Sequence, residues 1–271
     1  MQWWCAAQGV PWTWTWRPYP GVWIFIGIAL LAYLRWFGGS VAPGRKRWAF
    51  VGGLLLLWIA LDWPVGALGS GYLASVHMVQ FLLIALTAPP LLLLGIPLER
   101  FEALGRTRGF AVIRVVTTPL VSLLAFNVIV VATHWPGVVD GLMSSQLGSF
   151  ALDLSWLLGG LMFWWPVVSP VPNRPRFPFG VKMGYLIVCT VLMTMPYVFL
   201  TFGELPFYAT YELAPPVGSL SARDDQRVAG LIMRLGGGAI LWTASGILFW
   251  LWYRDENDPQ SAATESRTQS R

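Results

Sequence analysis

The chain has 271 residues, of which 56% are hydrophobic and 11% are charged, and its mean hydropathy is +0.59. Soluble domains carry roughly 25% charged residues, so this composition excludes an ordinary soluble protein and predicts one that spans a membrane. The 17 tryptophans fit this interpretation, because amphipathic rings gather at the two surfaces of a bilayer. The net charge is +5, and the Lys and Arg residues cluster in short loops between apolar stretches. This pattern reflects membrane topology and argues against nucleic acid as a partner.

Seven apolar stretches have the length that crosses a membrane, since about 30 Å of hydrocarbon takes about 20 helical residues. Helices are expected because lipid does not tolerate the unpaired edges of an open sheet. The predicted fold is therefore an all-α, polytopic membrane helix bundle, residues 1–253, followed by a polar, disordered cytoplasmic tail, residues 254–271. In chain order the predicted spans are 21–37, 48–67, 71–95, 113–133, 150–168, 181–202 and 228–253.

The Lys and Arg residues are distributed unevenly between the two ends of these spans. Fourteen of the 18 lie beside the loops after spans one, three and five or in the C-terminal tail, whereas Arg17, Arg223 and Arg227 belong to the other side. Because basic residues accumulate on the cytoplasmic side, the N-terminus is predicted outside and the C-terminus in the cytoplasm. The first span lacks the basic start and the cleavage site of a secretory signal, so it is expected to remain in the protein.

Two connections between spans are longer than the others. Residues 95–110 place apolar side chains among charges at helical spacing, which predicts a helix on the cytoplasmic membrane surface. Residues 203–227 contain four acidic side chains among Pro and aromatic residues. This outer loop is positioned to cover the mouth of the bundle.

One basic residue, Arg234, lies inside the last predicted span. A charge in hydrocarbon is costly, which predicts either that its guanidinium pairs with a carboxylate of the bundle or that it extends towards the headgroups. The candidate partners are Asp153, Asp224 and Asp225.

The rare metal-binding side chains fall at one level, near the outer face. His77 lies roughly six residues, or about 9 Å, into span three, His134 closes span four, and Asp153 lies in the first turn of span five. A histidine inside an apolar helix needs a partner or a cavity and is therefore a candidate functional residue. Histidine, methionine and carboxylate together suit copper. The alternatives are a histidine that bonds a backbone carbonyl or extends towards the headgroups, an aspartate that complements a helix dipole and methionines that fill the core.

Four fragments of the sequence resemble, in this order, motifs of the multi-span CtaG-type cytochrome c oxidase assembly proteins of bacteria. The resemblance covers about residues 71–252 and implies a seven-helix, multi-pass protein of the bacterial cell (inner) membrane. It also implies a role in the maturation of haem-copper oxidase, with oxidase subunits as partners beside the lipid bilayer and copper delivery on the outer side as the expected activity. The fragments are "HMVQFLLIALTAPPLLLLGIP", "THWPGVVD", "GGLMFWWPVV" and "DDQRVAGLIMRLGGG".

The same resemblance implies a metal site, with two departures from the family pattern. The family has His-Met-x-x-His at the start of the third span, where His77 and Met78 match but Phe81 replaces the second histidine. Asp153 stands where the family has a further histidine, whereas His134 matches. The implied ligands are therefore His77, His134 and Asp153, with Met78 as a fourth candidate, and copper is the implied metal. Two imidazoles and a carboxylate also resemble the ligands of non-haem iron.

Three functions are compatible with these features. The first is an assembly factor that passes copper to, or holds open, a nascent oxidase subunit. The second is a divergent scaffold or interaction protein that binds no metal and associates with a respiratory complex or another partner. The third is an enzyme or electron carrier in which His77 and His134 are axial ligands to haem. No nucleophile triad and no phosphate-binding loop is recognisable, so we do not expect an enzyme.

Overall fold

The computed structural model describes residues 2–37, 44–97, 115–168 and 177–257. Within these ranges every regular element is a helix and no strand occurs, which confirms the predicted all-α class. Helices satisfy their backbone hydrogen bonds internally, as a bilayer requires of a spanning segment. The bounds of the helices define seven segments: segment 1, Pro20–Phe37; segment 2, Gly44–Leu61 with Val65–Gly71; segment 3, Ala74–Leu94; segment 4, Pro119–Thr133 with Pro136–Met143; segment 5, Gln146–Val168; segment 6, Phe179–Phe202; segment 7, Ala222–Glu256.

The described segments provide four to six candidate membrane spans, so the predicted number of seven is supported only in part. Segments 3, 5, 6 and 7 are long and apolar enough to cross a membrane as they stand. Segments 2 and 4 qualify only if each bent pair is one span, with bends of 46° and 72°. Segment 1 is apolar but shorter. The bends occur at Pro64 and Pro136, because the backbone nitrogen of proline has no hydrogen to donate to a helical hydrogen bond. The orientation of the bundle stays a prediction.

In segments 3, 6 and 7 the regular α-helical hydrogen bonding is interrupted, but each segment continues as one helix. Segments 3 and 7 contain π-helical turns, Leu82–Thr87 and Ile232–Gly236, and segment 6 breaks at Met193. The two π-helical turns face each other, because a Cβ atom added to Gly236 would come within 2.6 Å of a methyl group of Leu82. Turns of this kind are frequent at functional sites.

The start of segment 7 corrects the predicted outer loop. Residues 222–227 belong to the helix and not to the loop, so Asp224 and Asp225 are helical. Ser221 caps this helix, since its hydroxyl accepts a hydrogen bond from the Asp224 backbone N–H at 3.1 Å. Hydropathy missed this turn because it is polar. The predicted surface helix and the predicted tail lie largely outside the described residues.

The residues before segment 1 fold back into the bundle. Trp4 and Cys5 are almost completely buried, and the backbone N–H of Ala7 donates to the Met143 carbonyl at 3.1 Å. The Tyr72 hydroxyl donates to the Val10 carbonyl at 2.8 Å. These contacts place the N-terminal stretch at the same end of the bundle as His77.

Candidate functional site

A carboxylate from segment 7 holds the first turn of segment 3. Asp225 accepts hydrogen bonds from the backbone N–H of Ala74 at 2.6 Å and of Ser75 at 3.3 Å, and from the Ser75 hydroxyl. The first N–H groups of a helix have no partner within the helix, so this carboxylate satisfies them from another segment. His77 therefore projects from a turn whose position is fixed.

The His77 side chain is 1% exposed and lies among aromatic rings. Its ring centroid is 4.9 Å from that of Trp156 and 5.9 Å from that of Tyr211. Neither ring nitrogen makes a hydrogen bond of normal geometry in the described residues. The Gly69 carbonyl is near enough to interact with the imidazole, but it already accepts from the Tyr211 hydroxyl at 2.7 Å. Buried polar atoms without partners are uncommon and need an explanation.

His134 lies at the bend of segment 4 and is 6% exposed. Its Nδ1 lies 2.7 Å from the Val130 carbonyl, whereas its Nε2 is buried without a partner. Because a carbonyl only accepts, Nδ1 carries the proton in the neutral ring and Nε2 keeps its lone pair. The His134 ring lies against Trp156, which the His77 ring also contacts.

Trp156 joins the two histidines. The His134 and Trp156 rings stack with centroids 6.0 Å apart, and His77 contacts the same indole. The Phe81 ring packs against His134 at 4.8 Å and against Trp156 at 5.2 Å. The indole N–H donates to the Thr133 hydroxyl at 2.9 Å, which orients it. The structure thus brings His77 and His134 together around Phe81 and Trp156.

Asp153 is buried beside this cluster, and both its oxygen atoms accept hydrogen bonds. Oδ2 accepts from the indole N–H of Trp4 at 2.8 Å, and Oδ1 accepts from the Gln80 amide at 3.1 Å. No Lys or Arg of the described ranges lies within ion-pair distance of it. Its carboxylate is therefore held by neutral donors.

The predicted ligand set is placed as follows. His77 and His134 share the cluster, Asp153 is engaged by Trp4 and Gln80, and Met78 is fully buried in the core. Within the described residues, no group of three or more His, Cys, Asp or Glu side chains is arranged to hold a metal ion. Metal binding by this set stays a prediction.

The predicted outer loop covers the two histidines, as its position in the sequence suggested. The Tyr208 hydroxyl donates to the His134 carbonyl at 2.9 Å, and Tyr211 lies over His77. The short helix Ala209–Glu212 is tied to segment 4, because Asp140 accepts from the Thr210 backbone N–H at 2.9 Å. Burial raises the pKa of Tyr208 and of Tyr211, so both phenols remain protonated donors.

Sequence reasoning missed most of the partners of the candidate residues. Trp156 follows Asp153 by three positions on one helix, so helical spacing could have placed it beside the site. Trp4 lies 149 positions from Asp153, and no local pattern connects them. Tyr208 and Tyr211 belong to a loop without periodicity.

The predicted ion pair of Arg234 is wrong for the described residues. Its guanidinium donates to the Thr190 carbonyl at 3.4 Å and lies 5.3 Å from the Tyr197 ring. Asp224 pairs instead with Arg227 at 3.8 Å. The Asp225 carboxylate accepts hydrogen bonds from the backbone of segment 3, and the Asp153 carboxylate accepts them from the neutral side chains of Trp4 and Gln80.

Comparisons with known proteins give one result. The family model described as cytochrome c oxidase caa3 assembly factor matches residues 28–255. No curated protein and no solved structure matches the chain. The matched range contains His77, His134 and Asp153, but Trp4 lies outside it.

Proposed function

This chain belongs to the cytochrome c oxidase caa3 assembly factor family, and we propose that its His77–His134 cluster carries copper for an oxidase of the bacterial cell membrane. Copper is the cargo in this proposal, delivered to an oxidase subunit and not retained for catalysis. The uneven distribution of basic residues supports the outer side of the membrane as the side of delivery. The protein acts as an assembly factor and not as an enzyme.

One observation carries the proposal, namely three buried imidazole nitrogens without hydrogen-bond partners. They are Nε2 of His134 and the two nitrogens of His77, which form no hydrogen bond of normal geometry although the Gly69 carbonyl is near; a neutral imidazole offers one lone pair to a metal, so each histidine supplies one donor. Imidazole nitrogen suits copper among the first-row metals. The bond between Nδ1 of His134 and the Val130 carbonyl is the arrangement that orients a metal-binding histidine and leaves its other nitrogen for the ion.

The small number of donors agrees with transfer. Asp153 would have to give up hydrogen bonds from Trp4 and Gln80 before it could bind a metal. His77 and His134 have no such cost, so they are the donors that this arrangement offers. Two imidazoles form fewer bonds to Cu(I) than the ligands of a storage site would. The ion is therefore released more easily to a receiving subunit.

A scaffold that binds no metal is the second candidate, and one observation favours it. Phe81 fills the space beside His134 with an apolar ring, at the position where the resemblance to the family implies a histidine. A chain that had lost copper binding would need only its surface contacts with the oxidase.

Titration of the purified protein with Cu(I), in competition with a coloured chelator, separates the two candidates. We expect about one Cu(I) for each chain, lost in His77→Ala and in His134→Ala. Met195→Leu is the control, because this methionine is exposed on the outside of the bundle. If the wild-type chain takes up no Cu(I), and His77→Ala still supports oxidase maturation in cells, the scaffold replaces the copper carrier.

A further inference from the structure

Arg234 is the one charged residue between Val228 and Tyr253 in the sequence. Its side chain is exposed on the lateral surface of the bundle, and its neighbours Leu231 and Leu235 are exposed apolar side chains. This surface faces lipid in a membrane protein. A guanidinium in such a place is rare and marks a functional site by default.

The direction of the side chain does not favour the headgroups. Two glycines of segment 7 give its register against segment 6: a Cβ atom on Gly230 would lie 2.9 Å from the Thr201 nitrogen, and one on Gly237 would lie 3.8 Å from Met193. Arg234 is therefore level with about Tyr197. Its guanidinium reaches the Thr190 carbonyl, seven residues farther from the near end of segment 6. The guanidinium lies between the Tyr197 ring, 5.3 Å away, and the Thr190 carbonyl, so it points away from the near end of segment 6.

A shallow groove with a cavity volume of about 10 Å³, room for about one water molecule, lies beside the guanidinium on the lateral surface. Its walls include Thr190, Met193, Gly237 and Gly238. A Cβ atom on Gly238 would meet nothing within 4 Å, so the space next to this backbone is open. Small residues allow the backbones of two membrane helices to approach closely.

The charge in this groove specifies the chemistry of its occupant. The Arg234 guanidinium has five N–H donors, and a single long hydrogen bond to the Thr190 carbonyl accounts for one of them. No carboxylate of the described residues lies within ion-pair distance. Carboxylates match the guanidinium fork with two parallel hydrogen bonds. The vacant donors therefore select an anionic group that approaches at the depth of the groove.

From this we propose that the groove beside Arg234 docks a transmembrane helix of a second protein through an Asp or Glu side chain of that helix. A phospholipid phosphate is the weaker match, because the guanidinium turns away from the nearer membrane surface. Resting on the proposed function, the second protein is a membrane subunit of the oxidase that this chain assembles.

Photo-cross-linking in cells that make their own cytochrome c oxidase tests the proposal. Benzoylphenylalanine replaces Trp242, which is exposed two helical turns from Arg234 on the same face, or Leu120, an exposed control on segment 4. We expect an adduct with an oxidase membrane subunit from position 242 and none from position 120. Arg234→Gln should reduce the adduct by about tenfold or more, as loss of a desolvated ion pair does.

Matched variants separate charge from folding. Arg227→Gln removes an exposed guanidinium from the same segment and should leave the adduct unchanged, whereas Arg234→Lys should keep part of it. Peptide mapping of the adduct then identifies the acidic partner. Its replacement by Lys should restore the adduct of Arg234→Glu.

Three results would overturn the docking proposal: no oxidase adduct from position 242, an adduct that persists in Arg234→Gln, or an Arg234-dependent adduct with phospholipid alone. Failure of the copper proposal is a separate result. Arg234→Gln should bind Cu(I) as the wild type does, because Arg234 supplies no copper donor. An Arg234-dependent adduct in a chain that binds no Cu(I) supports docking together with the scaffold function.

Discussion

Replacing Phe81 by histidine should place a third imidazole beside His134 and raise the affinity for Cu(I). The Phe81 side chain is 0% exposed, and its ring centroid lies 4.8 Å from that of His134. Without copper the variant should be less stable. Two aromatic contacts are worth about 0.5–1.5 kcal/mol each, and a buried imidazole without a partner costs about 1–3 kcal/mol, so the expected loss is about 2–6 kcal/mol.

Copper should reverse this loss, because a ligand that binds only the folded state stabilises it. We expect the affinity of Phe81→His for Cu(I) to rise at least tenfold, equivalent to about 1.4 kcal/mol. Chelator competition measures the affinity, and thermal unfolding in detergent with and without Cu(I) measures the stability.

Phe126→His is the matched control for this substitution. Phe126 is also 0% exposed, and its ring stacks on Phe163 with centroids 4.7 Å apart, away from both histidines. It should lose stability in the same range without any gain in copper affinity. Equal copper affinities of Phe81→His and Phe126→His would refute the placement of a copper site between His134 and Phe81.

Three further substitutions test contacts around the cluster. Asp225→Ala should lower the free energy of unfolding by about 2–4 kcal/mol, since several donors at the start of segment 3 lose a charged acceptor; Asp224→Ala, an exposed control, should change it by less than about 1 kcal/mol. Trp4→Phe leaves Oδ2 of Asp153 without its indole donor and should cost about 1–3 kcal/mol in chemical denaturation. Tyr211→Phe removes a hydrogen bond of the outer loop and should speed Cu(I) exchange in stopped-flow measurements while the stoichiometry stays the same; an unchanged exchange rate would contradict a covering role.

The sequence was sufficient to predict where the helices lie but not where they bend or break. Apolar stretches of the required length are visible directly, and the predicted span 71–95 agrees with Ala74–Leu94 within three residues. Pro64 and Pro136 were visible as well, but the size of each bend depends on what the following helix packs against. The sequence did not predict the first turn of segment 7 as helix, because its side chains are polar. Some of them, such as Asp225, make contacts inside the protein.

The candidate site was predictable as a set of residues but not as a geometry. Depth along each helix placed His77 and His134 at one level, and the structure puts both against Trp156. Depth gives no information about which way a side chain turns. Asp153 therefore appeared as available for a metal as the histidines, although its Oδ2 accepts a hydrogen bond from Trp4 of the N-terminal stretch. Contacts between distant parts of the chain leave no local periodicity.

Access to the cluster depends on the outer loop. His77 and His134 are at most 6% exposed, so an ion reaches them only if a covering element moves. The segments that carry the histidines are packed into the bundle, whereas hydrogen bonds of Tyr208, Tyr211, Asp140 and Gln226 and the burial of the two tyrosine rings hold the loop over them. Each such bond contributes about 0.5–1.5 kcal/mol, and local opening of one loop costs less than unfolding of the whole protein. Under the proposed copper function, opening of this loop controls entry and release of the ion, and its exposed face is where a receiving subunit would act on that opening.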